Sequence, residues 1–86
     1  MANYKITFKS SVAKDLRTIP NADIQRILAR IDDLAENPRA PGCIKLNGQE
    51  LYRTRQGKYR IVYEIRDGEL IVVVIKVAHR SSVYAD

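Results

Sequence analysis

Cysteine and histidine are almost absent from this chain. A single cysteine, Cys43, in 86 residues excludes an internal disulfide and any zinc site built on cysteines. That count fits a reducing cytoplasm. A single histidine, His79, cannot assemble a metal site, and no cofactor is expected. There is no P-loop, no nucleophile elbow and no carboxylate pair of hydrolase type. Long apolar runs are missing as well. The longest, "LIVVVI", is too short to cross a bilayer, and "MANYKITFKSS" has no apolar run of signal-peptide type. No membrane role is therefore expected. Acid is scarce beside base: 15 Lys and Arg against 10 Asp and Glu leave a net charge of +5. An excess of that sign leans toward an anionic partner, whether nucleic acid, an acidic protein or a membrane surface.

What is present reads as one ordinary globular domain over residues 1–86, with 45% hydrophobic and 29% charged residues and no repeat or linker. "YKITFK", Tyr4 to Lys9, alternates with Tyr4, Ile6 and Phe8 on one side, which predicts a short strand. Ser10 or Ser11 is expected to cap a first helix that turns Val12, Leu16 and Ile19 inward. Pro20 and Asn21 break that helix and start a second. There Ile24, Ile27, Leu28, Ile31 and Leu34 form one apolar stripe and leave Arg26, Arg30, Asp32 and Asp33 mainly to solvent. Asn37-Pro38 ends it. Everything after the loop reads as strand: "IKLN" weakly, then "LYRTR", "YRIVYEI" and "LIVVVIKV". The breaks fall at the Asn47-Gly48 turn, at Gln56-Gly57 and at Asp67-Gly68, where Gly is expected to supply a positive φ. The expected fold is α+β in two layers: an N-terminal strand and a helical hairpin packed on one face of an antiparallel sheet of three to four further strands.

Period two sorts the side chains of those strands. Tyr59, Ile61, Tyr63 and Ile65 belong against the helices, with Tyr52 and Thr54. Arg53 and Arg55 then share the open face with Arg60, and Lys58 stands beside them. Like charges on paired strands repel, so three arginines converging without an acid point to an anionic ligand rather than to solubility. The last strand is apolar on both faces apart from Lys76. A groove half guanidinium and half aliphatic would suit an anion or a peptide. "VAHRSSVY" adds His79, Arg80 and Tyr84 at that strand's exit. Tyr84 either packs on the core edge or stacks on a nucleobase.

The basic strand "YRTR", a short turn, "YRIVYEI", an apolar strand and "VAHRSSVY" resemble the RelE branch of the RelE/ParE superfamily, the toxin halves of type II toxin–antitoxin pairs. "LAENPRAPGCIKLNG" is similar to the family's "L…NP…KL.G" pattern, so the resemblance covers nearly the whole chain. Pairing of Arg80 with Tyr84 favours the ribonuclease branch over the gyrase-poisoning one. The resemblance implies a toxin that enters the ribosomal A site and cuts mRNA there by attack of a ribose 2′-OH on the adjacent phosphate. Carried over by position, the basic strand pair falls on Arg53 and Arg55. The central-strand arginine falls on Arg60, and the C-terminal arginine and tyrosine fall on Arg80 and Tyr84.

One departure matters. Some members have lysine where Arg55 stands, and there it is the favoured proton acceptor. Arginine is a poor base. Arg55 is therefore expected to position or stabilise, and His79, Tyr84 and Lys58 stay open as acid/base candidates. The partners implied are an acidic antitoxin, mRNA and the ribosome. The free toxin is expected to be monomeric, with a higher-order assembly open for the antitoxin complex. Two rivals remain, a gyrase-directed toxin that cuts nothing and a binding module for an acidic peptide.

Overall fold

The computed structural model describes residues 3–46 and 50–79. Its elements are β1 (Lys5–Phe8), α1 (Ser10–Leu16), α2 (Asn21–Glu36), β2 (Ile44–Lys45), β3 (Leu51–Gln56), β4 (Tyr59–Arg66), a 3-10 turn (Asp67–Glu69) and β5 (Ile71–His79). The strands make one sheet in the order β1-β5-β4-β3-β2. The two-layer α+β expectation holds, with one correction of topology. The N-terminal strand is not laid on the sheet with the helices. It is an edge member of the sheet, pairing parallel to β5 from Lys5 opposite Ile71 to Phe8 opposite Val74, so the sheet is mixed.

The apolar stripe of α2 accounts for how the layers meet. Ile27, Ile31 and Leu34 are buried against Tyr52, Ile61, Tyr63, Ile65, Val72, Val74 and Val77, and Val12 and Ile19 close the same core from the α1 side. Leu28 departs from its expected place. It is 38% exposed at the margin of the stripe and lines a shallow apolar trough with Phe8 and Leu16. Neither serine caps α1. Lys9 is the N-cap residue, and no side chain bonds the helix start. The reason is that Lys9 still donates its N–H to the Val74 carbonyl at 2.9 Å, so the chain stays in the sheet until the residue before the helix.

Two turns set the register. Gly57 and Lys58 join β3 to β4 as a two-residue loop, one position later than expected, closed by the Gln56–Tyr59 pair. Only Gly57 of these two has a positive φ, +59°, which is the pattern of a type II′ hairpin turn. At the second turn the positive φ was expected at Gly68 but falls on Leu70, at 54°. Asp67 explains the shift. Its carboxylate accepts bonds from Arg39 (Nη1 3.1 Å, Nη2 2.8 Å) and from the Tyr4 hydroxyl (2.7 Å), which fixes the start of the 3-10 turn. Arg39 also donates through Nε to the Tyr52 hydroxyl at 3.1 Å. Tyr63, fully buried and stacked on Tyr52, donates its hydroxyl to the Pro38 carbonyl at 2.6 Å. Together these bonds tie the loop after α2 to the sheet. The Asn47-Gly48 turn lies outside the described residues.

Beyond Phe8 the edge of β5 has no strand beside it among the described residues. There the Asp15 carboxylate from α1 accepts the Val77 N–H at 3.1 Å and pairs with Lys76 at 3.3 Å. Ile75 is left out of the ladder, since Val62 opposes Lys76 and Tyr63 opposes Val74. A bulge of this kind re-aims the residues that follow it.

Candidate nucleic-acid interface

The tight Gly57-Lys58 turn locks the pairing of β3 with β4, and that register decides which arginines meet. Arg55 lies directly opposite Arg60, and Arg53 opposite Val62. Cross-strand partners point to the same side of a sheet, with Cβ atoms about 5 Å apart. Tyr52, Thr54, Ile61 and Tyr63 are all buried on the helix side, which puts Arg53, Arg55 and Arg60 on the other. Arg55 and Lys58 are exposed, whereas Arg53 and Arg60 are half-buried. Neither pair contains a carboxylate. The next acid along this face, Glu64 opposite Leu51, is engaged by Arg66 at 3.3 Å. A like-charged pair placed face to face opposes folding, and an anion bound between the two relieves it.

β5 supplies the remainder of the face. Ala78 lies opposite Arg60, Lys76 opposite Val62, Val73 opposite Glu64 and Ile71 opposite Arg66. Apart from Lys76, the guanidinium cluster therefore gives way to the aliphatic Ala78, Val73 and Ile71 across the sheet. His79 is not part of this face. It pairs with Tyr59, and adjacent residues alternate sides, so it lies with the helices while Ala78 lies with Arg60. Its ring meets Tyr59 edge-on at 5.6 Å. Both line a cavity of about 400 Å³ with Asp15, Thr18 and Lys76. Burial raises the Tyr59 phenol pKa, helped by Asp23, whose carboxylate lies 3.4 Å from the hydroxyl. Arg80 and Tyr84 lie outside the described residues. No grouping of His, Cys, Asp and Glu able to hold a metal occurs among the described residues.

Sequence reasoning passed over Arg30 and Arg39. Arg30 was assigned to solvent, yet it is half-buried and donates Nε (3.2 Å) and Nη2 (2.9 Å) to Thr54 Oγ1. The signal was its spacing, three residues after Ile27 and four before Leu34, which sets it on the buried stripe's flank. Arg39 carried no such signal, because its partners Asp67 and Tyr52 are distant in sequence.

Comparison with known proteins gives concordant matches. Residues 6–84 match the family model described as ParE toxin of type II toxin-antitoxin system, parDE. Toxin RelG of Mycobacterium tuberculosis is 33% identical, the match covering 94% of this chain and 95% of RelG. Toxin RelE of the same organism is 32% identical, over 94% of this chain and 86% of that one. Among solved structures, the archaeal RelE–RelB complex from Pyrococcus horikoshii superposes with a TM-score of 0.78 at 26% identity, covering 96% of this chain and 100% of that one.

Proposed function

The chain belongs to the RelE/ParE superfamily of type II toxin–antitoxin toxins, and from that premise we propose that it is a ribosome-dependent endoribonuclease that cuts mRNA in the A site and so inhibits translation. One observation carries the reading: Arg55 and Arg60 face each other across the hairpin, with Arg53 on the same side and no carboxylate at the paired positions of these two strands beside them. In the reaction a ribose 2′-oxygen bonds to the adjacent phosphorus and the bond from phosphorus to the 5′-oxygen breaks. A 2′,3′-cyclic phosphate and a free 5′-OH result. The phosphate gains negative charge as the 2′-oxygen attacks. Guanidinium groups, each able to give two parallel hydrogen bonds, stabilise that charge. Arg60 and Arg55 take this part, Arg53 and Lys58 hold flanking phosphates, and the family resemblance gives Arg80 a share in the same charge stabilisation. Tyr84 stacks on the base and orients the 2′-OH in line with the leaving oxygen.

We assign no general base. A guanidinium is a poor proton acceptor, and His79 stands across the sheet from Arg60 beside Tyr59. In-line positioning of the RNA by the ribosome supplies much of the rate in this reading, and a weak acceptor suffices. The test is cleavage of mRNA on programmed ribosomes by the wild type, Arg60→Ala, Arg80→Ala and Tyr84→Phe, with free RNA as control. Ribosome-restricted cleavage weakened by all three changes supports the assignment, and intact mRNA despite growth arrest defeats it.

The ParE description of the matching family model keeps one second reading in view, a gyrase-directed toxin in which the arginines bind and nothing is cut. Inhibition of supercoiling without mRNA cleavage would favour it. Relatives crystallised with RelB support a cognate antitoxin for this chain too. An acidic segment of it, steered by the arginines, would keep Arg60, Arg80 or Tyr84 from RNA, while the trough of Phe8, Leu16 and Leu28 offers it apolar contact. Equal antitoxin affinity in a variant lacking Arg53, Arg55 and Arg60 would remove the steering role. In this reading the toxin acts in the cytoplasm, where ribosomes and mRNA are.

A further inference from the structure

β2 is two residues long and pairs with β3 only at Tyr52 and Arg53. Past Arg53 the outer edge of β3 therefore has no strand beside it among the described residues. A cleft of about 280 Å³ lies there, lined by Arg30, Gly42, Ile44, Arg53, Thr54 and Arg55. It wraps round the sheet's edge. Arg53 and Arg55 reach it from the open face, and Arg30 reaches it from the helix side.

Arg30 is held in place for a role of this kind. Two of its N–H groups are given to the buried Thr54 hydroxyl. Gly42, at φ +94°, passes so close that an added Cβ would lie 3.4 Å from Arg30 Nη2. A guanidinium has five N–H donors, so three remain, including both on Nη1. Among the described residues no carboxylate lines the cleft to take them. A cation already fixed by its neighbours gives up little rotamer freedom when it binds an anion.

We propose that this cleft is a second phosphate site, in which Arg30, with Arg53 and Arg55, holds an RNA backbone phosphodiester next to the one that is cut. The inference rests on the reading that the chain acts on RNA. Arg55 belongs both to the cleft and to the Arg55–Arg60 pair, so an RNA strand crossing the open face meets a continuous run of guanidinium groups that turns the corner of the sheet. An acidic peptide is less well served, because Ile44 is the one aliphatic side chain the cleft offers for it to bury.

The test is equilibrium binding of a short, uncleavable 2′-O-methyl RNA across a salt series, using the full chain and Arg30→Met and Arg30→Lys, each checked by thermal melting. Each phosphate neutralised on a single strand contributes about 0.7 to the slope of log affinity against log salt. Arg30→Met is expected to lower the slope by about 0.7 and the affinity at low salt roughly tenfold. Arg30→Lys is expected to keep the slope. In case Arg30→Met does not fold, the guanidinium resonance of Arg30 in the wild type is followed as the same RNA is added, and it is expected to shift. A folded Arg30→Met with unchanged slope overturns the proposal, as does an unmoved Arg30 resonance. Loss of salt dependence toward the antitoxin alone would also overturn it, by giving the cleft to an acidic protein. Ribosomal cleavage by the wild type, measured in parallel, separates the two readings. A lowered slope without cleavage sinks the nuclease and keeps the cleft, and cleavage with an unchanged slope does the reverse.

Discussion

Replacing Arg55 by Glu should make the protein more stable and less active at once. Arg55 stands opposite Arg60 in the β3–β4 ladder and is exposed, so the substitution turns a repelling cross-strand pair into an attracting one. Cross-strand charge pairs contribute roughly 0.2–1 kcal/mol of either sign. Removing one repulsion and adding one attraction then gives about 0.4–2 kcal/mol, and solvent screening holds the sum to about 0.4–1 kcal/mol. For a domain of 86 residues, 1 kcal/mol moves the melting temperature by about 4–8 °C, so the gain is about 2–8 °C in dilute buffer. It should fade in roughly 1 M salt, where the Debye length falls to about 3 Å. Cleavage should drop at least about tenfold, since a charge-assisted hydrogen bond to the phosphate, ~1.5–3 kcal/mol, is lost and a repelling carboxylate introduced. Thermal melts at two salt concentrations and ribosomal cleavage, on one preparation, measure both. A lower melting temperature in dilute buffer, or a gain indifferent to salt, would refute the claim that these arginines oppose folding. Undiminished cleavage would refute the claim that they serve the reaction.

Tyr63→Phe removes the hydroxyl that satisfies the Pro38 carbonyl in the core. Urea denaturation should show a loss of about 1–3 kcal/mol, the expense of an unmet buried acceptor, and a loss below ~0.5 kcal/mol would mean water replaces it. Asp67 is held at a pKa of about 2, first by its bonds from Arg39 and then by the Tyr4 hydroxyl. A folded pKa below the unfolded value means its contribution is whole above about pH 4 and lost as pH falls toward 2. The melting-temperature gap between wild type and Asp67→Asn should be present at pH 6 and vanish near pH 2, and a constant gap would contradict this. Leu70→Gly relieves a left-handed leucine that is 45% exposed. The strain released, about 1–2 kcal/mol, exceeds the entropy glycine adds, about 0.5–1 kcal/mol. Calorimetry should therefore find a small stabilisation, and a clear loss would mean the leucine side chain packs more than its exposure suggests.

Much of the arginine face could be read directly from the chain, because alternation along "LYRTR" and "YRIVYEI" fixes sides without knowledge of neighbours. The α2 stripe was legible for the same reason. What escaped depends on contacts between distant segments. Ser10 looked like a cap, but the Lys9 N–H was already committed to Val74. Asp67-Gly68 looked like a glycine turn, but Arg39 and Tyr4 hold the aspartate and pass the left-handed residue on to Leu70. His79 follows the apolar strand closely enough to suggest the reactive face, and the β4–β5 register puts it on the opposite one. Arg30 was hidden because periodicity shows that a residue flanks the core without showing that a threonine hydroxyl waits there.

The parallel pairing of Lys5–Phe8 with Ile71–Val74 joins the first of the described strands to the last. On an elongating ribosome β1 emerges early and waits, unpaired, while the helices and the arginine hairpin are made. Contacts between remote segments form late because the intervening loop must first be closed. The β3–β4 hairpin, joined by a two-residue turn, needs no such closure and forms ahead of the β1–β5 pair. A domain with this topology is completed at the seam between β1 and β5, so loosening that seam would loosen the whole fold without parting the arginine hairpin.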